Sequence, residues 1–316
     1  MLSRVAENIY WMARYVERAE NTARLVRVNA NLLLDLPRGI APGWEPLVSI
    51  MGVDEEFNKR YTNATERNVV KFLIGDSSNP CSILNSLRAA RENCRTVRDI
   101  IPRSGWEQIN ELYLDAGDNV HSGLTKSGRH AYLDHIISGS QTINGLLGSI
   151  VYRDEAYQFL RIGRNLERAD MTTRIIDVRS TDLLPEETAD SKTFDTIQWV
   201  SVLNSLSAYQ AYRRKVQVQV RRDEALEFLF KNTLFPRAFM HCLYAVEESL
   251  GELKNNRDSL EVLRQLIHKV SSTRVDRFRK QQLHSFIDQL QLGLINLHRA
   301  MEETYFLPPA EAASAS

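Results

Sequence analysis

The sequence predicts an all-α protein, a multi-helix bundle with an internal duplication. Three observations carry that expectation. Apolar residues recur at i, i+3, i+4 and i+7 along 3–34, 80–101, 129–151, 153–178, 194–231, 236–254, 257–270 and 275–306. Turn residues are scarce, with 14 Gly and 9 Pro in 316 residues, as long helices joined by short connections require. A stretch near the start also reappears 150 positions later.

Taken in order, the first helix opens at Ser3, which can cap it, with Glu7 close to the first turn. It breaks at Leu36-Pro37-Arg38-Gly39. Asn79-Pro80 reads as an N-cap followed by Pro at the first helical position, and that helix ends at Pro102-Arg103-Ser104-Gly105. Arg179 to Lys192 is the best candidate for a boundary, or for an ordered loop within one domain. Val216-Gln217-Val218-Gln219-Val220 alternates like a strand but continues a helical pattern, so it is read as helix. Phe235-Pro236 opens a further helix as Asn79-Pro80 does. The expected organisation is a single helical domain over 1–306 with two repeats, their motif helices near 3–34 and 153–178, and a disordered Pro/Ala/Ser-rich tail at 307–316.

Composition excludes several classes. Forty Lys and Arg balance forty Asp and Glu, which argues against a bulk grip on nucleic acid or on an anionic membrane. The longest uncharged stretch, between Asp134 and Arg153, is too polar to span a membrane, and Arg4 and Glu7 interrupt any apolar leader. Cys81, Cys94 and Cys242 are odd in number and widely spaced, so they read as buried thiols of a cytoplasmic protein. Neither GxGxxG, GxxxxGK[ST] nor GxSxG occurs, and no cofactor is expected; ATP, if the pathway uses it, would be bound by another chain.

The repeat is the most informative feature. Residues 13–28 (ARYVERAENTARLVRV) align without gaps to 163–178 (GRNLERADMTTRIIDV), with seven identities in sixteen positions. Roughly one identity is expected by chance, so the match reads as a duplication. Met12, Tyr15, Val16, Ala19, Ala23 and Val26 share one helix face, while Arg14, Glu17, Arg18, Glu20 and Arg24 lie opposite. Arg164, Glu167, Arg168, Asp170 and Arg174 repeat the charged set.

Three readings of that set stay open. It can be a solvated face laced by i,i+4 ion pairs, a buried Arg–carboxylate network joining the two helices, or a polar pocket for a charged substrate. A metal site is not expected: Glu17, Glu20, Glu167 and Asp170 form two ExxE/D pairs, but no Glu-x-x-His accompanies them and the neighbouring arginines repel a cation. A second feature is the stripe Arg88, Arg91, Arg95 and Arg98 on the helix from Pro80, suited to an anion or an acidic partner surface, or paired with acids on neighbouring helices. Arg213-Arg214-Lys215 with Arg221-Arg222 is a weaker cluster, and His121, His130 and His135 with Asp134 stand at no metal-ligand spacing.

The segments YWMARYVERAENTARLV, SSNPCSILNSLRAARENCRTVRDI (77–100), FLRIGRNLERADMTTRIIDV (159–178) and FLFKNTLFPRAFMHCL (228–243) together resemble the alpha-E family, a bacterial all-helical family of unknown function. The resemblance spans nearly the whole chain, and the two E-R-A-x-x-T-x-R motifs are specific to it. Cys81 and Cys94 depart from it, standing where small or polar residues are expected. The resemblance implies association with circularly permuted ATP-grasp proteins, often beside transglutaminase-like proteases. That makes the chain a subunit or accessory factor of a tRNA-independent peptide or amide ligation or modification system, with an amino acid or peptide as the expected substrate.

Overall fold

The computed structural model describes residues 2–35, 43–181, 191–216 and 219–307. All regular structure among them is helical, with fifteen α-helices and no strand. The first eight are α1 (Ser3–Asp35), α2 (Glu45–Met51), α3 (Asp54–Asn58), α4 (Glu66–Gly75), α5 (Ile83–Thr96), α6 (Arg103–Asp118), α7 (Val120–Leu124) and α8 (Lys126–Ile150). The rest are α9 (Glu155–Thr181), α10 (Ser191–Ser205), α11 (Tyr209–Lys215), α12 (Arg222–Lys231), α13 (Phe239–Gly251), α14 (Arg257–Ser272) and α15 (Lys280–Met301). No helix among the described residues is long and apolar enough to cross a membrane.

The helices close into two rings. In the first, α1 packs on α5 and α8, and α6 packs on both of those. In the second, α9 packs on α13 and α15, and α14 packs on both. The rings meet where α1 lies along α9. The short helices before α5 and α13 lead into them by the same turn: Ser78 donates its backbone N–H to Asp76 Oδ1 at 3.0 Å, and Leu234 donates to Asn232 Oδ1 at 2.9 Å.

Both sides of α1 are covered. Ile9, Met12, Val16, Ala23 and Val26 enter the apolar core, while the opposite, charged side meets α9. A solvated face is therefore not what the fold makes of Glu17, Glu20 and Arg24, which are buried. The crossing is close because residue 163 is glycine: a β-carbon there would overlap the Tyr10 carbonyl oxygen.

Several helix boundaries differ from those expected. The segment 194–231 is three helices, not one, and Ser207, at φ +53°, turns the chain between α10 and α11. Val216, Gln219 and Val220 lie outside any helix or strand, and 217–218 fall outside the described residues. The helix after Pro80 begins at Ile83, capped by Ser82, whose hydroxyl accepts from Asn85 N–H. Asn79 instead ties the preceding turn, accepting from Cys81 N–H at 2.9 Å and donating to the Phe72 carbonyl at 3.0 Å. The helix after Pro236 begins at Phe239. Helices α2, α3, α4, α6 and α7 were not expected; those of five to ten residues are too short to display a period clearly. Of the proposed boundary at 179–192 and the tail at 307–316, residues 182–190 and 308–316 lie outside the described residues.

Candidate functional site

The charged sides of α1 and α9 meet in a reciprocal exchange. Arg18 donates to Glu167 through Nε at 2.6 Å and Nη2 at 2.9 Å. Arg168 donates to Glu17 through Nε at 2.9 Å and Nη2 at 2.8 Å. Each guanidinium thus holds the other helix's carboxylate with a two-pronged grip, the strong geometry for this pair. Thr22 and Thr172 repeat each other too, each donating to the carbonyl four residues back at 2.9 Å.

The third partner breaks the match. Glu167 accepts a further bond from Arg14 Nε at 2.7 Å. Arg164 stands at the corresponding place beside Glu17, yet its buried Nε has no acceptor among the described residues. Arg237, just before α13, takes that role instead. Its Nη1 donates to Glu17 and Asn21 at 2.8 Å each, and its Nη2 donates to Glu20 at 2.7 Å. Glu20 also accepts from Arg24 and from Gln141, while Asp170 accepts from Arg174 Nε at 2.9 Å.

Burial pushes the Glu17 carboxyl upward, but Arg168 and Arg237 overcome it and hold the group at about 2. Glu167 is treated the same way by Arg18 and Arg14, also ending at about 2. Burial lowers the guanidinium values of Arg24 and Arg164, helped by Arg237 for the first and Arg168 for the second. Across the interface Arg14, Arg18, Arg24, Arg164, Arg168, Arg174 and Arg237 face Glu17, Glu20, Glu167 and Asp170. Seven cationic groups face four carboxylates, and with the partly exposed Arg174–Asp170 pair set aside, six guanidinium groups against three carboxylates still leave a positive surplus.

Two features beside this centre escaped the sequence reading. At one end Tyr10, fully buried, pairs through its Oη with His298 Nδ1 at 2.9 Å and accepts from Arg14 Nη1 at 3.0 Å. Trp11 and Tyr15 stack nearby, with the Arg14 guanidinium 4.9 Å from the Trp11 ring centre. At the other end Arg24 Nη1 donates to Ser207 Oγ at 2.5 Å, and Ser207 lines a cavity of about 750 Å³ between α1, α10 and α11. Arg237 was missed although it is a lone charge in the apolar run Phe235–Leu243, a pattern that marks a buried charge with a distant partner.

The other expected clusters are spread apart. On α5, Glu92 accepts from both Arg91 and Arg95 and Arg88 is exposed, whereas Arg98, expected on the same helix, lies past its end at Thr96 and over the Trp106 ring at 5.1 Å. His130 pairs with Asp134 at 3.1 Å and His135 with Asp115 at 3.6 Å, so the histidines do not converge. Arg213 lies over the Tyr209 ring. A separate group, Asp177, His284 and Asp288, was not foreseen: His284 Nδ1 is 2.8 Å from Asp177 Oδ1 and its Nε2 is 3.7 Å from Asp288, spacing within reach of a metal ion. The bond to Asp177 raises the His284 value, as expected for an imidazolium bridging two acids.

Residues 1–306 match the family Alpha-E, described as a predicted alpha-helical domain with a conserved ER motif, and the chain belongs to that family. Glu17-Arg18 and Glu167-Arg168 are two such dipeptides, and they make the reciprocal exchange. The chain is also similar to an uncharacterized protein of Mycobacterium bovis, 20% identical over 277 residues that cover 81% of this chain and 30% of that protein. An uncharacterized protein of Mycobacterium tuberculosis is 19% identical over the same shares. The chain thus spans about a third of the length of these curated relatives. No solved structure matches it.

Proposed function

From Alpha-E membership we propose that the chain is a helical binding subunit of an ATP-grasp-linked, tRNA-independent peptide or amide ligation or modification system. Its cationic centre would receive the carboxylate of an amino acid or peptide. The observation that carries this reading is the surplus of seven guanidinium groups over four carboxylates at the α1–α9 interface, with Arg164 lacking an acid of its own. A buried surplus of this kind is stabilised by an anion from outside the chain.

The division of labour follows from the motifs. The sequence has no nucleotide cradle, so activation of the substrate carboxyl falls to the circularly permuted ATP-grasp partner that the resemblance implies, in the cytoplasm. The relatives support work beside other protein segments, since most of their length lies outside the match. The half-paired arginines of α5 suit a contact with that partner. We also read the two rings as copies of one ancestral unit, on the strength of their common packing order and turn. Ligation measured with the partner and with folded Arg24→Ala and Arg174→Ala variants tests the proposal: the expected result is loss of product formation. Unchanged ligation and unchanged complex formation would overturn it.

A second reading is favoured by the two-pronged exchange itself. Because Glu17 and Glu167 are saturated by protein groups, the ER pairs can serve only as a lock between the rings. That scaffold reading predicts a lower melting temperature for Glu17→Gln with no separable loss of function.

A further inference from the structure

We propose that the cavity beside Arg24 and Ser207 binds the carboxylate end of a small amino-acid or peptide ligand. The inference rests on the reading of the centre as an anion receiver and gives that anion a place. Arg24 is 4% exposed, and each of its nitrogens tells part of the story. Nη2 goes to Glu20, Nη1 goes to Ser207 Oγ, and Nε has no acceptor among the described residues. Glu20 is shared, because Arg237 Nη2 bonds the same oxygen at 2.7 Å. One turn further along α1, Arg27 lines the cavity and pairs with Asp134. Arg27 is the one guanidinium among the residues that line the cavity, and Arg24 stands behind the wall and reaches it through Ser207 Oγ. One lining guanidinium with a second behind Ser207 suits a monoanionic carboxylate better than a dianionic phosphate.

Two hydroxyls in the wall point the same way. Ser207 carries a side chain at φ +53°, a region that β-carbons disfavour and that concentrates at ligand sites. Its Oγ accepts from Arg24 and so keeps its O–H for another acceptor. Ser201 also lines the cavity; it is 3% exposed and its Oγ has no partner among the described residues. A buried hydroxyl left unmatched by the protein is satisfied by a ligand oxygen or amide. Between them Val28, Ile197 and Val200 supply an apolar wall for a short side chain, and a cavity of about 750 Å³ accommodates one to three residues.

Calorimetric titration of the full chain with N-acetyl-alanyl-alanine, its C-terminal amide, free alanine and inorganic phosphate tests this. The free acid should bind saturably, the amide at least tenfold more weakly, and comparison with free alanine tells a peptide end from an amino acid. Ser207→Gly fits the left-handed turn but takes the acceptor from buried Arg24 Nη1 and should lower the melting temperature, whereas Ser201→Ala removes only an unpartnered hydroxyl and should keep the wild-type value or exceed it. Each should nevertheless weaken the acid at least fivefold. Equal binding of acid and amide, or binding of phosphate alone, would overturn the ligand class. Acid binding that survives both serine variants but falls in Arg164→Met would place the anion elsewhere and leave the proposed function standing. Absence of any binding by either acid would remove both.

Discussion

The two copies of the ER motif receive different third partners, and the difference separates what the fold needs from what it tolerates. Around Glu167 everything comes from one element: Arg14 and Arg18 are both on α1. Around Glu17 the grip is divided between α9 and a connection, because Arg237 enters from the residues before α13 and Arg164 is left over. The first arrangement joins two helices and no other part of the chain. The second ties three parts of the chain to two buried carboxylates, Glu17 and Glu20.

That contrast is broken most forcefully at Arg237. Arg237→Met strips one guanidinium from two buried acids at once and should cost about 3–5 kcal/mol in chemical denaturation, the range for orphaning a buried charge. Arg14→Met should cost less than half as much, since Glu167 keeps both prongs of Arg18. Equal losses would mean that the two copies are energetically alike.

Acid sharpens the same comparison. Glu17 and Glu167 sit at about 2 in the fold, against about 4.3 in an unfolded chain. Between those values the unfolded state binds more protons, so the stability they contribute is present above about pH 4.3 and is lost as pH falls toward 2. Stability measured from pH 6 to pH 2 should decline steepest in that window. Glu167→Gln should flatten the decline.

A smaller effect is expected at the crossing. Gly163→Ala pushes a β-carbon against the Tyr10 carbonyl and should lower stability by about 1–3 kcal/mol, as overpacking does. Smallest of all, Arg164→Met should change stability by about 0.5 kcal/mol or less, since Arg164 makes no ion pair among the described residues and its Nε has no acceptor there. A large loss there would show that Arg164 supports Glu17 at a distance.

The fold class and the charged motif were legible because both are periodic and local. Long helices such as α1 and α9 advertise themselves through thirty residues of repeated spacing, and the match between them exposed Glu17, Arg18, Glu167 and Arg168 as a set. What periodicity cannot show is which side of a helix faces another helix rather than water. For that reason the burial of Glu17 and Glu20 stayed open until the rings were seen to meet. Arg237 and Ser207 were illegible for a different reason: each acts over a separation of about two hundred residues, from a connection with no period of its own. The break at Ser207 was hidden because the flanking residues continue a helical pattern on both sides.

The long reach of Arg237 also bears on how the protein is made. Glu17 leaves the ribosome ahead of its last partner, which follows 220 residues behind it. Until that arginine emerges, the first ring carries a carboxylate that the finished molecule buries completely. Keeping such a group in water is cheaper than enclosing it unpaired, so α1 cannot settle into its final environment until those residues have followed it out. The helix that precedes the other fourteen in chain order is among the last to be sealed.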